Sequence, residues 1–145
     1  MIRLLLALCA CAAQPPRAVV ARSTLPENIR VQLPTHGIVV WIAGEQGSLF
    51  VTLDRDTKMI RTRTVRPASD ETQARTLRAE DTKRLWSLAD AAWRTSRGPS
   101  HPPHLDYNEV LAVGDGDDAF YLDGHGSIEA PAAASAVRAM LDVSK

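Results

Sequence analysis

The order of hydrophobic periodicities along this chain leaves few folds open to it. Residues 37–65 hold short β-branched runs and two-residue alternations, which are the patterns of strands. Residues 79–95 instead repeat apolar side chains every three or four positions, as one face of a helix does. A two-strand pattern over 108–122 and a helix opened by Pro131 follow. This order predicts an α+β domain, in which an antiparallel sheet of about five strands (meander, helix, hairpin, helix) carries two helices on one face.

Turn residues separate the predicted strands. The polar run Asp54-Arg55-Asp56-Thr57 joins two of them, and Gly114-Asp115-Gly116-Asp117 joins another two. Residues 66–75 contain a proline and several polar side chains and are expected to form a loop. The predicted strands cover residues 38–42, 49–53, 58–65, 108–113 and 118–122, and an alternation over 29–33 suggests an additional edge strand.

The N-terminus has the composition of an export signal. Residues 1–13 begin with a positive charge and continue as an apolar run that is too short to span a bilayer, and the breaker Gln14-Pro15-Pro16 ends it. Within the run, Leu8-Cys9-Ala10-Cys11 resembles the lipobox of bacterial lipoproteins, which implies that Cys11 carries a lipid anchor. Simple cleavage without lipidation is the alternative, after Ala12, Ala13 or Ala21.

The remaining chain is expected to form a flexible tether and a single domain. Residues 14–28 are rich in proline and small residues and are predicted to form the tether. Residues 29–145 are predicted to be one α+β domain, since roughly 115 residues can bury an adequate core. Both cysteines lie within the first 13 residues, so the predicted domain contains no internal disulfide.

Several functional classes find no support in the sequence. The formal net charge is zero, which argues against a nucleic-acid-binding protein with a dominant basic face. There is no Gly-x-Ser-x-Gly motif and no glycine-rich phosphate loop. The acidic run Asp115-Gly116-Asp117-Asp118 lacks the spacing of an EF-hand and fits a hairpin turn instead. The sequence therefore predicts a protein that is not an enzyme and that needs no cofactor.

One loop contains residues of the type that bind metal. His101, His104 and Asp106 fall within six positions, and imidazole and carboxylate groups are ligands for zinc. The intervening Pro102-Pro103 does not give the helical spacing that brings two histidines to one ion. A solvated loop rich in His and Pro is the favoured reading, and the three residues remain a weak metal-site candidate.

Charge is distributed unevenly along the chain. Residues 1–100 contain 15 basic and 9 acidic residues, whereas residues 101–145 contain 2 basic and 8 acidic ones. If the two segments fold on opposite sides, the domain is dipolar and steers a charged partner. If they are adjacent, the acidic hairpin pairs with Arg61, Arg63 and Arg66 in the same sheet. Both readings are open, and Arg61 and Arg63 are candidate interaction residues.

Tryptophan supplies one further candidate for an interaction site. Trp93 lies on the apolar stripe of the predicted helix and Trp41 lies in a strand, so both are expected in the core. Trp86 follows Leu85 at the edge of the stripe, where partial burial is the simpler expectation. Left exposed, it would anchor a protein interface.

The succession of elements resembles that of the emfourin type, small bacterial inhibitors of thermolysin-like metallopeptidases. The resemblance rests on the strand Arg61-Thr62-Arg63-Thr64-Val65, the helix over 80–93, a strand led by Tyr107, the Gly-Asp-Gly turn and the proline-started helix. It spans roughly residues 37–143. It implies a compact α+β domain that blocks a peptidase cleft without catalysis, and no inhibitory residue can be carried over.

The sequence therefore predicts an exported, lipid-anchored domain of the bacterial cell envelope that acts by protein contact, with a peptidase inhibitor as its sharpest version. The anchor is expected to hold it at a membrane facing the periplasm, and without lipidation it is secreted. The expected partner is an envelope or secreted protein, with no nucleic acid and no membrane contact beyond the anchor. Two alternatives stay open: a structural or assembly lipoprotein, and a metal- or ligand-binding protein that uses His101, His104 and Asp106.

Overall fold

The computed structural model describes residues 17–97 and 108–145, which form one antiparallel sheet of seven strands with three α-helices. This confirms the predicted α+β class, with two strands more than expected. The elements are β1 (Val20–Ala21), a 3₁₀ turn (Arg22–Thr24), α1 (Glu27–Arg30), β2 (His36–Gly44), β3 (Gly47–Asp54), β4 (Met59–Arg66), β5 (Ser69–Thr76), α2 (Ala79–Thr95), β6 (Glu109–Asp115), β7 (Asp118–Gly124) and α3 (Pro131–Val143).

Two hairpin groups meet at the centre of the sheet. The strand order is β1-β7-β6-β2-β3-β4-β5, and β2 pairs with β6 so that Trp41 lies opposite Val110. Ile38, Val39, Val40 and Trp41 are all buried, although neighbouring residues point to opposite faces. Because this strand is apolar on both sides, the sheet has to be covered on both faces.

The helices α2 and α3 cover one face, as predicted. Leu85, Ala89, Ala92 and Trp93 form the buried stripe of α2, and Trp93 stacks on Phe120 of β7 with a centroid distance of 6.1 Å. Pro131 opens α3, where it lacks only an N–H that the first helical turn leaves unpaired. The core of this layer is completed by Ile38, Val40, Val51, Leu53, Ile60, Leu77, Leu111, Val113, Ile128, Ala133, Ala136, Val137 and Met140.

The N-terminal segment covers the opposite face. Leu25, Ile29 and Leu33 are each buried and pack on Val39, Trp41, Phe50, Val110, Ala112, Ala119 and Tyr121. The predicted edge strand over 29–33 is wrong. Ile29 instead lies in the short helix α1, and the Leu33 N–H donates to the Ile29 carbonyl at 3.0 Å. The spacing of four residues between Leu25, Ile29 and Leu33 is the helical signal, and Val31, which the strand prediction counted as apolar, is 70% exposed.

The described part of the predicted tether, residues 17–28, is also ordered against the sheet. Val20 pairs with Ala119, and Leu25 is only 4% exposed. The Arg22 guanidinium donates to the carbonyl oxygens of Pro34 at 2.8 Å and Gly116 at 3.0 Å. These contacts make the segment part of the folded domain, which therefore begins well before residue 29.

The predicted loop over 66–75 is largely a strand, β5. It pairs with β4 in continuous register from Ser69, opposite Arg66, to Thr76, opposite Met59. Almost all of its side chains are exposed, so neither alternation nor an apolar run marks it in the sequence. Its backbone pairing with β4, rather than burial, defines it as a strand.

Candidate interaction surface around Trp86

Trp86 lies at the edge of the buried stripe of α2. Its neighbour Leu85 is 1% exposed, while Trp86 is half-buried and packs against the margin of the core. A helix turns by about 100° per residue, so a residue next to a central stripe position faces partly outward. The sequence-based expectation of partial burial agrees with this position.

The turn between β3 and β4 brings a cation onto the indole ring. The Arg55 guanidinium carbon lies 4.5 Å from the Trp86 ring centroid, which is a cation–π contact. An Asp54 carboxylate oxygen fixes the turn by accepting the N–H groups of Asp56 at 2.9 Å and Thr57 at 3.3 Å. Arg55 is therefore presented to Trp86 from a rigid connection.

Lys58 closes the turn in a conformation that lysine rarely adopts. Its φ is 58°, in the left-handed region, and it is the only described residue other than glycine with positive φ. Its carbonyl accepts the N–H of Leu77 at 2.8 Å, and Leu77 is buried just before α2 begins. This bond links the turn to the start of the helix, so Lys58 and Trp86 border the same surface.

We define the Trp86 surface as the half-open hollow between this turn and α2. Its volume is about 420 Å³, and it combines the indole ring with small side chains and a basic rim. Its lining residues are Arg55, Lys58, Ala79, Thr82, Lys83, Trp86 and Ser87.

The rim of the Trp86 surface carries uncompensated positive charge. Within the described ranges, none of Arg55, Lys58 and Lys83 forms an ion pair with a carboxylate. Two acidic residues close by in sequence have other partners: Asp56 contacts His36 at 2.7 Å, and Asp81 contacts Arg78 at 3.1 Å. An aromatic ring among unpaired cations can hold an apolar side chain and an adjacent carboxylate together.

The three predicted interaction residues do not converge. Arg61 lies on the face of the sheet opposite the helices and lines a separate cleft of about 250 Å³ near Val31 and Thr52. Arg63 lies on the same face as Arg61 and forms a two-bond ion pair with Asp70 of β5, at 2.9 and 2.6 Å. Of the three, Trp86 alone supplies an aromatic ring to a surface hollow.

The strand order distinguishes between the two predicted arrangements of charge, in which the basic and acidic segments lie either apart or next to each other. Strands β2 and β3 lie between the acidic β6–β7 hairpin and the arginines of β4, so the alternative in which that hairpin pairs with Arg61, Arg63 and Arg66 is wrong. Asp115 instead contacts Arg17, at 2.8 Å. The segregated arrangement therefore describes the sheet, with acidic strands toward one edge and arginine-bearing strands toward the other.

Arg17 is the centre of a network that the sequence did not reveal. Its guanidinium donates to Asp90 of α2 at 2.7 Å and to Asp115 of β6 at 2.8 Å, and it lies 4.5 Å from the Trp93 ring centroid. The Trp93 indole N–H donates to the Ala18 carbonyl at 2.8 Å. In each of these contacts the two residues are more than 70 positions apart in sequence, so no local sequence pattern links them.

The remaining predicted sites lie outside the described residues. These are the lipidation site Cys11 and the weak metal candidates His101, His104 and Asp106. Within residues 17–97 and 108–145, no group of three or more His, Cys, Asp or Glu side chains is placed to hold a metal ion. No helix in those two ranges has the length and apolarity needed to cross a membrane.

Comparison with family models, curated proteins and solved structures found no match to this chain.

Proposed function

We propose that this chain is an exported, lipid-anchored domain of the bacterial envelope that acts by protein contact, and that its partner binds at the Trp86 surface. The observation that carries this proposal is the half-buried Trp86 ring with Arg55 on its face, bordered by cations that form no ion pair within the described residues. Tryptophan and arginine are the residues most enriched at the energetic centres of protein interfaces.

The chemistry of the Trp86 surface defines the partner segment. The exposed part of the indole ring, beside Arg55, can contact an aromatic or aliphatic side chain, and Lys58 and Lys83 favour an acidic residue next to it. A partner loop that carries an apolar residue next to Asp or Glu satisfies both requirements. The hollow is half-open, which suits a side chain presented by another protein.

Site-specific crosslinking tests the proposal. We expect a photoreactive amino acid at Ser87, on the rim of the hollow, to capture one protein from cells, and the same group at exposed Val31 to capture none. Trp86→Ala should abolish the Ser87 product while the circular dichroism of the domain is unchanged. Identical products from Ser87 and Val31, or a Ser87 product that Trp86→Ala leaves intact, would contradict the proposal.

The lipid anchor is tested separately. Labelling cells with a palmitate analogue should mark the wild-type chain and Cys9→Ser but not Cys11→Ser. A labelled Cys11→Ser chain, or an unlabelled wild-type chain, would remove the anchor from the proposal and leave the Trp86 surface untouched.

The resemblance to emfourin-type inhibitors makes a thermolysin-like metallopeptidase the first partner to examine. In this narrower version, the domain lowers peptidase activity at a one-to-one ratio, and Trp86→Ala weakens the inhibition. Full peptidase activity at an excess of the domain would rule out the inhibitor version while leaving another envelope protein as partner.

A further inference from the structure

The outer edge of β5 is a second surface on this molecule that can associate, separate from the Trp86 surface. β5 is an eight-residue strand at the end of the sheet, and nearly all its side chains are exposed. Its only strand partner among the described residues is β4. A long edge of this kind presents a row of backbone N–H and C=O groups that another strand can pair with.

The ladder with β4 fixes which residues of β5 face outward. The Leu77 N–H donates to the Lys58 carbonyl, and in an antiparallel ladder the bonded positions alternate. Odd-numbered residues of β5 therefore bond to β4, and even-numbered ones, such as Thr72 and Ala74, direct their backbone groups to the open edge. None of these outward groups has a backbone partner in the described parts of the chain.

We propose that a second copy of this chain pairs with β5 along this edge, antiparallel and around a two-fold axis at Gln73. Thr72 of each copy then lies opposite Ala74 of the other, a position where both residues have outward backbone groups. The two strands form about eight new backbone hydrogen bonds. The two-fold axis is perpendicular to the sheet, so the helices of both copies lie on one side of a continuous sheet.

Charge complementarity selects the second copy as the occupant and Gln73 as the centre. In this register Glu71 of each copy lies opposite Arg75 of the other, and residues opposite each other on one face attract when their charges differ. Glu71 forms no ion pair within the described residues, and Arg75 is held on the helix side of the sheet by its bond to the Val143 carbonyl. Centring the axis on Glu71 would instead oppose two carboxylates, and centring it on Thr72 would leave Glu71 opposite Gln73.

A charge exchange tests the register. We expect the full-length chain to sediment as a dimer, and we expect Glu71→Arg to weaken the dimer by about tenfold or more, because two attractive pairs become repulsive. Arg75→Glu should have the same effect, and the double variant Glu71→Arg/Arg75→Glu should restore the dimer. Within one chain these two side chains are four strand positions apart, so only an intermolecular contact predicts the rescue.

A cysteine at the axis gives an independent test. In a Cys9→Ser/Cys11→Ser background, Gln73→Cys should form an intermolecular disulfide under mild oxidation, since the two Gln73 positions face each other as a non-hydrogen-bonded pair. Thr72→Cys, one residue away, is the matched control and should remain reduced, because its opposite residue is Ala74. A monomeric wild-type chain, a double variant that stays monomeric, or equal crosslinking of Gln73→Cys and Thr72→Cys would overturn the proposal. Each of these results leaves the Trp86 surface unaffected, so the two proposals fail separately.

Discussion

At the scale of single residues, Lys58 is the position where local conformation and surface chemistry disagree. For a residue other than glycine, the left-handed backbone conformation is unfavourable by about 1 kcal/mol. Lys58 nevertheless adopts a φ of 58° on the rim of the Trp86 surface. Glycine would fit the backbone better but would supply no charge there. Lysine at this position therefore keeps a positive charge on the surface at the expense of a strained backbone.

Replacing Lys58 with glycine should separate stability from binding. We expect Lys58→Gly to leave the free energy of unfolding unchanged or to raise it by up to about 1 kcal/mol, because the left-handed strain is relieved. Capture of the partner through Ser87 should weaken at the same time. Urea unfolding and crosslinking yield measure the two effects, and Lys83→Ala, on helical backbone, is the control that lowers capture without stabilising the fold. Unchanged capture by Lys58→Gly would show that the cation does not contact the partner.

The ion pair between Arg63 and Asp70 has a consequence for titration. The hydrogen bonds from Arg63, with some help from its charge, hold the pKa of the Asp70 carboxyl below its ordinary value, and the same contact raises the pKa of Arg63. Since the folded-state pKa of Asp70 is depressed, the pair stabilises the fold above the ordinary pKa of aspartate. That stabilisation is lost as the pH falls through the lowered pKa.

Arg63→Gln should raise the pKa of Asp70 toward its ordinary value. A carboxyl ¹³C titration measures the shift directly, and Arg61→Gln is the matched control because it removes the same charge from the same face without touching Asp70. Equal shifts from both substitutions would show that general charge, rather than the direct hydrogen bonds, sets the Asp70 pKa.

The sequence correctly predicted the location of residues whose environment is determined by burial in the core. Trp41 and Trp93 are in the core, as the strand and helix patterns indicate, and Trp86 lies at the edge of its stripe. The contact of Arg55 with Trp86 had no sequence signal, because it joins a turn to a helix 31 positions away. Contacts of this kind depend on how elements are assembled.

At the scale of elements, the segment containing α1 shows how a short helix gains stability from what it covers. Four residues are too few for a helix to be stable in isolation. Ile29 and Leu25 are nevertheless almost fully buried, and the Arg22 guanidinium bonds the segment to the carbonyls of Pro34 and Gly116. Packing on the sheet therefore holds this helix.

We expect Ile29→Ala to lower the free energy of unfolding by about 3 kcal/mol, the usual cost of emptying a fully buried aliphatic site. Val31→Ala, two residues away but 70% exposed, should change it by less than about 0.5 kcal/mol. Urea denaturation of both variants measures the difference. A similar small effect for both would mean that the segment contributes little to the second layer.

The elements that sequence patterns recover are those that bury one face. The predicted helix over 79–95 matches α2, and the hairpin strands fall within a few residues of their predicted ends. β5 was missed because its residues, Ser69 to Thr76, are almost all exposed and polar, so nothing in the sequence alternates. Residues 29–33 were mistaken for a strand because Ile29, Val31 and Leu33 satisfy a two-residue repeat, whereas Ile29 and Leu33 also satisfy the four-residue repeat that Leu25 begins.

At the scale of the whole molecule, the sheet has two covered faces and an uneven charge. The β6–β7 hairpin carries Glu109, Asp115, Asp117, Asp118 and Asp123 and no basic residue, while β4 near the other edge carries three arginines. A separation of this kind orients a charged partner as it approaches and raises the rate of association at low salt.

Truncation tests where the folded unit begins. A chain starting at Arg17 should unfold as the full chain does, whereas one starting at Ile29 should lose about 3 kcal/mol or more, since it lacks Leu25 and the Arg22 bonds. Thermal unfolding followed by circular dichroism distinguishes the two. Equal midpoints for both chains would support the sequence-based boundary at residue 29 over the packed arrangement.

If Cys11 carries the proposed lipid, the ion pairs that fix Arg17 to Asp90 and Asp115 limit how far the domain can lie from the membrane. Six residue steps separate Cys11 from Arg17, and a fully extended chain of that length spans about 20 Å. A linker of that length keeps a lipidated domain close to the membrane leaflet that holds its lipid and restricts the rotation of the domain. Such a molecule meets targets that come to the same bilayer surface, not ones distributed across the compartment.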